Sequence, residues 1–467
     1  MRTDLRSYLP DFREPWKAAL MLLTLIPLFP EYVSFIFVLV AGGFAIRELR
    51  QHKQKLELGF IGKMILAYCG YMAITLIYSR NRISTLETLV MWLLLFAVYL
   101  IVFNILTDPD RLDFLLFYIT AVAGTVGLIA CIQYRFGLLT NTNPIKFWFF
   151  IDKYVYKWLP LNITETKYIL RSCSTFSNPN VLAEYLMMSA PFVVCFNYCE
   201  QRKELHAFSR ICLLLTFGGV MFSFSRGGYI AALILLAALI VLNFRHKFSA
   251  IALYTFAALM LIPDEVFERL FSINKGAKAG KTIVESVIGQ TTIDYTTTSE
   301  IINNNPSDSA ISTRWRIWLE SLRAFLGRPI FGYGAGVQTS GDILREQNLQ
   351  VVHTHNIITQ LLIEGGIIAL LIFVIIGIVT VKRGIALAKS GYSTAMWSGI
   401  AVLGFATSFT VQGMVDYPLM TPKLICTFLL ILGIADRLVR FHDHPDEPVL
   451  VRKMRRKLPF LKERTTE

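Results

Sequence analysis

Apolar stretches of about 17–25 residues recur along this chain, each the length a helix needs to cross roughly 30 Å of hydrocarbon. In hydrocarbon every backbone N–H and C=O must find its partner inside the protein, so a chain built from such stretches folds as spanning helices. Hydrophobic residues make up 54% of its 467 residues, above the roughly 45–50% of a soluble domain. The spans read as 17–29, 32–46, 60–78, 86–106, 112–134, 180–198, 208–224, 228–244, 248–263, 357–381, 394–414 and 419–437. The expectation is an all-α polytopic membrane protein of about twelve transmembrane helices. Pro27, Pro30 and Glu31 interrupt the first run, so 17–46 reads as two short spans joined by a tight turn; a single kinked helix would leave eleven. That run begins at Trp16 and continues to Ile46, which does not suit a short cleavable signal peptide.

The net charge of +13 could suggest nucleic acid, but its arrangement argues against that. Arg47, Arg50, Lys53 and Lys55, then Arg202, Lys203 and Arg210, then Arg245 and Lys247, then Lys382, Arg383 and Lys389 flank apolar runs on one side. The short turns of the other side carry few basic residues, as the positive-inside rule expects of outer loops. Both termini are therefore expected in the cytoplasm. Seven cysteines lie scattered, mostly in apolar runs and without metal-ligand spacing; they read as small core side chains.

The chain reads as one integral membrane domain, 1–467, with spans 1–9 over 17–263 and spans 10–12 over 357–437. Between them a large extracytoplasmic loop covers 264–356, and a basic cytoplasmic tail covers 438–467. A second outer loop, about 135–179, holds the aromatic run Phe147-Trp148-Phe149-Phe150 with Lys153 and Lys157, suited to the membrane interface. The large loop is rich in Thr, Asn and Ser over 281–313 and becomes amphipathic over 314–326. There Trp315, Trp318, Leu319, Leu322, Phe325 and Leu326 form an apolar stripe opposite Arg316, Glu320 and Arg323. Gly332-Tyr333-Gly334-Ala335-Gly336 follows, and there is no internal repeat.

The candidate chemistry gathers on the outer side. His355, with His353 before it and Asn356 after it, stands where the large loop meets span ten. An imidazole is suited to general-base work there, although a satisfied structural role is the common alternative. Asp416, in a short outer turn, could orient that imidazole or simply form the turn. Arg226, in Ser225-Arg226-Gly227-Gly228, is either a snorkelling anchor or a guanidinium clamp for an anion. Arg314 falls in the first turn of the expected 314–326 helix, where the dipole adds to its charge and favours an anion. Arg316 suits a solvated face or the same anion. Asn178 is a good helix cap before Pro179, with Asn180 beyond it and Arg171 upstream on the same surface. No Walker loop, dinucleotide fingerprint or H-E-x-x-H occurs. Asp108-Pro109-Asp110 is the nearest acidic pair and reads as a cytoplasmic turn. Neither a cofactor nor a protein-held metal is expected, so the substrate must carry its own activation.

Thr175-Phe176-Ser177-Asn178-Pro179-Asn180 with Ala183-Glu184, Ser225-Arg226-Gly227, Arg314 with Trp318, Gly332 to Gly336, and His355-Asn356 ahead of Leu361-Leu362 and Glu364-Gly365-Gly366 resemble, in order and spacing, the O-antigen ligase and O-antigen polymerase superfamily. The resemblance runs over roughly 170–420; the first five spans share only hydropathy. It implies a GT-C-like, metal-independent membrane glycosyltransferase of the cytoplasmic membrane with an extracytoplasmic active site. The donor would be a glycan on a polyprenyl diphosphate, the acceptor a hydroxyl of a glycan, lipid or protein. By the same resemblance Arg226 and Arg314 would hold the diphosphate. His355 would deprotonate the acceptor, with inversion at the anomeric carbon. Arg171, Asn178, Asn180, Arg316, His353, Asn356 and Asp416 would line the substrate site. A lipid-linked glycan transporter is the reading from another class; it asks for charge or broken helices near the bilayer midplane.

Overall fold

The computed structural model describes residues 8–11, 13–135, 171–200, 202–243, 309–390 and 393–443. The expected ninth span 248–263, the aromatic run 147–158 and the basic tail beyond 443 lie outside these residues. Among the described residues the chain is helical throughout, with no strand. The helices are α1 Pro15–Leu25, α2 Glu31–Gln51, α3 Phe60–Thr75, α4 Arg82–Ile105, α5 Pro109–Arg135, α6 Pro179–Cys199, α7 Lys203–Phe222, α8 Arg226–Asn243, α9 Ser309–Gly327, α10 Val337–Glu346, α11 Ile357–Ala388, α12 Ser393–Gly413 and α13 Pro422–Asp443. Seven of them are long and apolar enough to cross a membrane: α2, α4, α5, α6, α7, α11 and α12. The chain is a polytopic helical membrane protein.

Pro27 and Pro30 break the first apolar run, as their missing N–H groups dictate. A 3₁₀ turn at Ile26–Leu28 separates α1 from α2, and the two helices pack on each other. In α6 89% of the most apolar window is buried, against 28% in α2. That contrast makes α6 the central helix, ringed by α5, α7, α8, α12 and α13, and leaves α2 at the rim. Small residues set the tightest approaches: a Cβ added at Gly127 of α5 would strike the Leu215 backbone of α7.

Three asparagines cap helices at one end of the bundle. Asn81 accepts from Ser84 N at 3.1 Å, Asn178 from Asn180 N at 2.8 Å, and Asn356 from Ile358 N at 2.9 Å. Each satisfies a backbone donor that a helix start leaves open.

The apolar run 357–381 predicts an uninterrupted span, but α11 is broken. Gly366 has φ 61°, ψ −158° in the middle of it. The Gly-rich turn supplies the partners that the break would otherwise strand: Tyr333 N donates to Ile363 O at 2.8 Å, Gly334 N to Glu364 O at 2.9 Å, and Ile367 N to Pro329 O at 2.9 Å. A Cβ at Gly332 would lie 2.6 Å from both Glu364 O and Gly366 N. Backbone meets backbone here, which only glycine allows.

The amphipathic helix also differs from its expectation. It starts at Ser309, so Arg314 stands beyond the first turn, where the dipole contributes little. Its two faces do not sort by polarity alone: Trp318 packs inward while Arg323 is exposed. Ile317, Glu320 and Ser321 are buried, whereas Leu322 and Leu326 of the apolar stripe are 43% and 71% exposed. In a membrane protein the protein side of such a helix can be polar while its apolar side meets the bilayer interface.

Candidate functional site

Four segments distant in sequence meet at the capped end of the bundle. The loop 353–356 enters α11; the turn 414–417 joins α12 to the last helix; 171–180 enters α6; and 223–226 joins α7 to α8. A line of hydrogen bonds runs through all four. His355 Nδ1 lies 3.1 Å from Asp416 Oδ1. Asn180 Nδ2 donates to Asp416 Oδ2 at 2.9 Å, and Arg171 Nη2 donates to Asn180 Oδ1 at 2.7 Å. Arg171 Nε then donates to the Ser223 carbonyl at 2.9 Å.

The backbone is unusual at the same places. Among the described residues the non-glycine positions with positive φ are Lys53, Ser174, Phe224, Asn348 and His355. Three of the five fall in the converging segments, and His355 itself has φ 51°. A side chain held there costs energy that surrounding contacts must offset. Thr354 supplies much of that support. Its N–H donates to Gln360 Oε1 at 2.9 Å, its hydroxyl to Asn356 O at 2.8 Å, and its carbonyl accepts from Trp318 Nε1 at 3.0 Å. Through Trp318, α9 is docked on the His loop.

Asp416 is buried, and burial alone would raise its pKa; the hydrogen bond from His355 and the charges of His355, His353 and Arg314 outweigh that and hold the carboxyl well below its usual range. It is therefore a carboxylate, able to orient His355 by accepting from Nδ1–H. The imidazole's Nε2 is then the basic nitrogen. His353 is also buried, its ring centroid 4.0 Å from that of His355. Burial lowers its pKa to about 4, with His355 and Arg314 adding to the effect and Asp416 opposing it. His353 Nδ1 accepts from the His355 N–H at 3.2 Å.

The arginines stand differently towards this pair. Arg314 is half-buried, and its charge acts on Asp416 and His353. Arg316 follows two residues later, about 200° around the helix, so it faces elsewhere. Arg226 is half-buried at the start of α8. Its neighbour Gly227 packs on the Asp416 turn, where an added Cβ would come 2.7 Å from Val415 Cγ2. Arg171 braces the network rather than standing apart on the surface. Asn178 and Asn356 are occupied as caps, and Asn356 also donates to Met414 O at 3.0 Å.

Gln360 had no clear sequence signal, and Glu184 stood in a motif without a role of its own. Gln360, one turn into α11, donates to Ser340 Oγ at 2.8 Å and Glu364 Oε1 at 2.7 Å while accepting from Thr354; its place one turn from the His loop was the only hint. Glu184, one turn inside α6, is buried, and its Oε2 has no hydrogen-bond partner among the described residues.

A search of curated proteins finds no match. Residues 211–374, which include Arg226, Arg314, the Gly-rich turn, His355 and the α11 break, match the family model described as O-antigen ligase. Over that segment the chain is similar to the O-antigen ligase family.

Proposed function

We propose that this protein is a membrane glycosyltransferase that moves a glycan from a polyprenyl diphosphate carrier to an acceptor hydroxyl, ligase-like, at the outer face of the cytoplasmic membrane. Both termini then lie in the cytoplasm, and the twelve-span reading carries the site to the outer surface. The observation that carries the reading is the 3.1 Å contact between His355 Nδ1 and the ionised Asp416.

Asp416 fixes the imidazole with Nε2 facing the acceptor. His355 Nε2 takes the hydroxyl proton as the acceptor oxygen attacks the anomeric carbon. The bond from that carbon to the diphosphate oxygen breaks on the opposite side, so the centre inverts. The departing diphosphate gains negative charge, which Arg226 and Arg314 stabilise most strongly in the transition state. Superfamily ligases and repeat-unit polymerases share this chemistry and differ in the acceptor.

The break in α11 is a feature that transporters use to bind ions with unwound backbone. Here the Gly-rich turn occupies the Ile363 and Glu364 carbonyls, which disfavours that use. The test is glycan transfer by the purified protein from a polyprenyl diphosphate-linked donor. Transfer by the native chain that is lost in His355→Ala and lowered by a smaller factor in Asp416→Asn supports the reading. Undiminished transfer in both variants overturns it.

A further inference from the structure

His353, His355 and Asp416 each place a ligand atom within 4.8 Å of the other two. Two imidazoles and one carboxylate form the donor set of open, three-ligand zinc sites, in which water or substrate takes the fourth position. Imidazole selects transition ions such as zinc over magnesium or calcium, which favour sets of oxygen ligands. The three residues sit on two loops rather than inside helices, and His355 is half-exposed while the other two are buried. One side of the cluster is thus open to an arriving ion and two sides are fixed by packing. Among the described residues this is the one group of three or more His, Cys, Asp or Glu side chains so arranged.

We propose that His353, His355 and Asp416 form a zinc-class metal site, at which the ion is an inhibitor rather than a cofactor. The ion enters between His355 and Asp416 and replaces their hydrogen bond. The proton that bridged them moves through solvent to Nε2, so that the ring stays neutral while Nδ1 gives its lone pair to the ion. Inhibition rests on the general-base reading: with zinc on Nδ1 and the proton on Nε2, the imidazole has no free lone pair to take the acceptor proton. Arg314 works in the other direction, because its charge already acts on Asp416 and His353 and repels a cation. The site is therefore expected to be weaker than a structural zinc site and to tighten when that charge is removed.

The sequence holds a second His-x-His at His442 and His444, so the test uses the full chain with both replaced by alanine. Purified protein in detergent, stripped with EDTA, is titrated with zinc chloride against a chromophoric chelator. One equivalent is expected to bind. His353→Ala, His355→Ala and Asp416→Asn should each weaken it by at least about tenfold, and Arg314→Gln should strengthen it severalfold. The last variant guards against misfolding, since damage does not tighten binding. Zinc should also block transfer, reversibly with EDTA. No binding by the native set of residues, or binding that none of the four substitutions changes, overturns the proposal. Binding that responds as described while transfer continues supports the metal site and counts against His355 as the base.

Discussion

Asp416 Oδ1 lies 3.1 Å from His355 Nδ1, and its other oxygen accepts from Asn180 at 2.9 Å. Both carboxylate oxygens are thus fixed, one by the imidazole and one by the segment that starts α6. The imidazole cannot turn without breaking a bond to a carboxylate that cannot follow it. If Nε2 is the base, His355→Ala should lower turnover on the order of a hundredfold or more with donor binding largely retained. Asp416→Asn should lower turnover by a smaller factor, since the asparagine amide can still hold the ring. His353→Ala should be milder than either. Turnover and donor-analogue binding, measured on the same preparations, check the split. Loss in His353→Ala with normal turnover in His355→Ala would assign the base to the wrong ring.

Arg226 should behave otherwise. A diphosphate is charged before the reaction and more so during it, so Arg226→Ala should weaken donor binding and turnover together, turnover by on the order of a hundredfold. Arg226→Lys should not restore it, because an ammonium cannot reproduce a planar fork. Equal activity of the lysine variant and the native protein would argue for a simple charge or an interfacial anchor.

His353 sets a pH dependence of stability. Its folded pKa of about 4 lies below the ordinary 6.5, so between those values the unfolded chain binds more protons than the folded one. Stability therefore rises with pH through that window and falls as the solution is acidified from pH 6.5 towards 4. Asp416 acts in the same direction but lower, below its ordinary 3.8. Thermal unfolding in detergent should show the native protein losing more stability than His353→Gln between pH 6.5 and 4.5. Parallel curves would mean that the ring is not held neutral.

Gly366→Ala should be among the more damaging single-methyl changes. The added carbon would meet the Ile330 backbone, and φ 61° is itself unfavourable for alanine. A loss of about 1–3 kcal/mol from strain alone is expected, seen as a lower midpoint of thermal unfolding. Gly377, with open space around its Cβ position, is the control on the same helix.

Hydropathy made the helices legible because the bilayer leaves a spanning backbone little choice. The paired break at Pro27 and Pro30 and the cap at Asn178 follow from local chemistry and were equally readable. What escaped was set by contacts across the chain. Nothing in the apolar run 357–381 demands a break, although Glu364-Gly365-Gly366 permits one. The break exists because the Gly-rich turn supplies its hydrogen bonds. The start of α9 was misplaced because Ser309 to Thr313 reads as loop by composition yet continues the helix. Burial along α9 follows contacts across the chain rather than the apolar stripe alone, since Glu320 is buried and Leu326 exposed. Arg171 could be grouped from sequence with Asn178 and Asn180, but its bonds to Asn180 and Ser223 could not be read there.

The hydrogen-bonded line from Ser223 to His355 passes through Asp416, and of its members Asp416 is the last to leave the ribosome. Until the α12–α13 hairpin is inserted, His355 lacks its carboxylate and Asn180 lacks its acceptor. A half-made chain already in the membrane would hold both arginines and the imidazole without the group that aligns them. Assembly of the site is in this way tied to completion of the bundle, and a chain truncated before the last hairpin should be inserted yet inert.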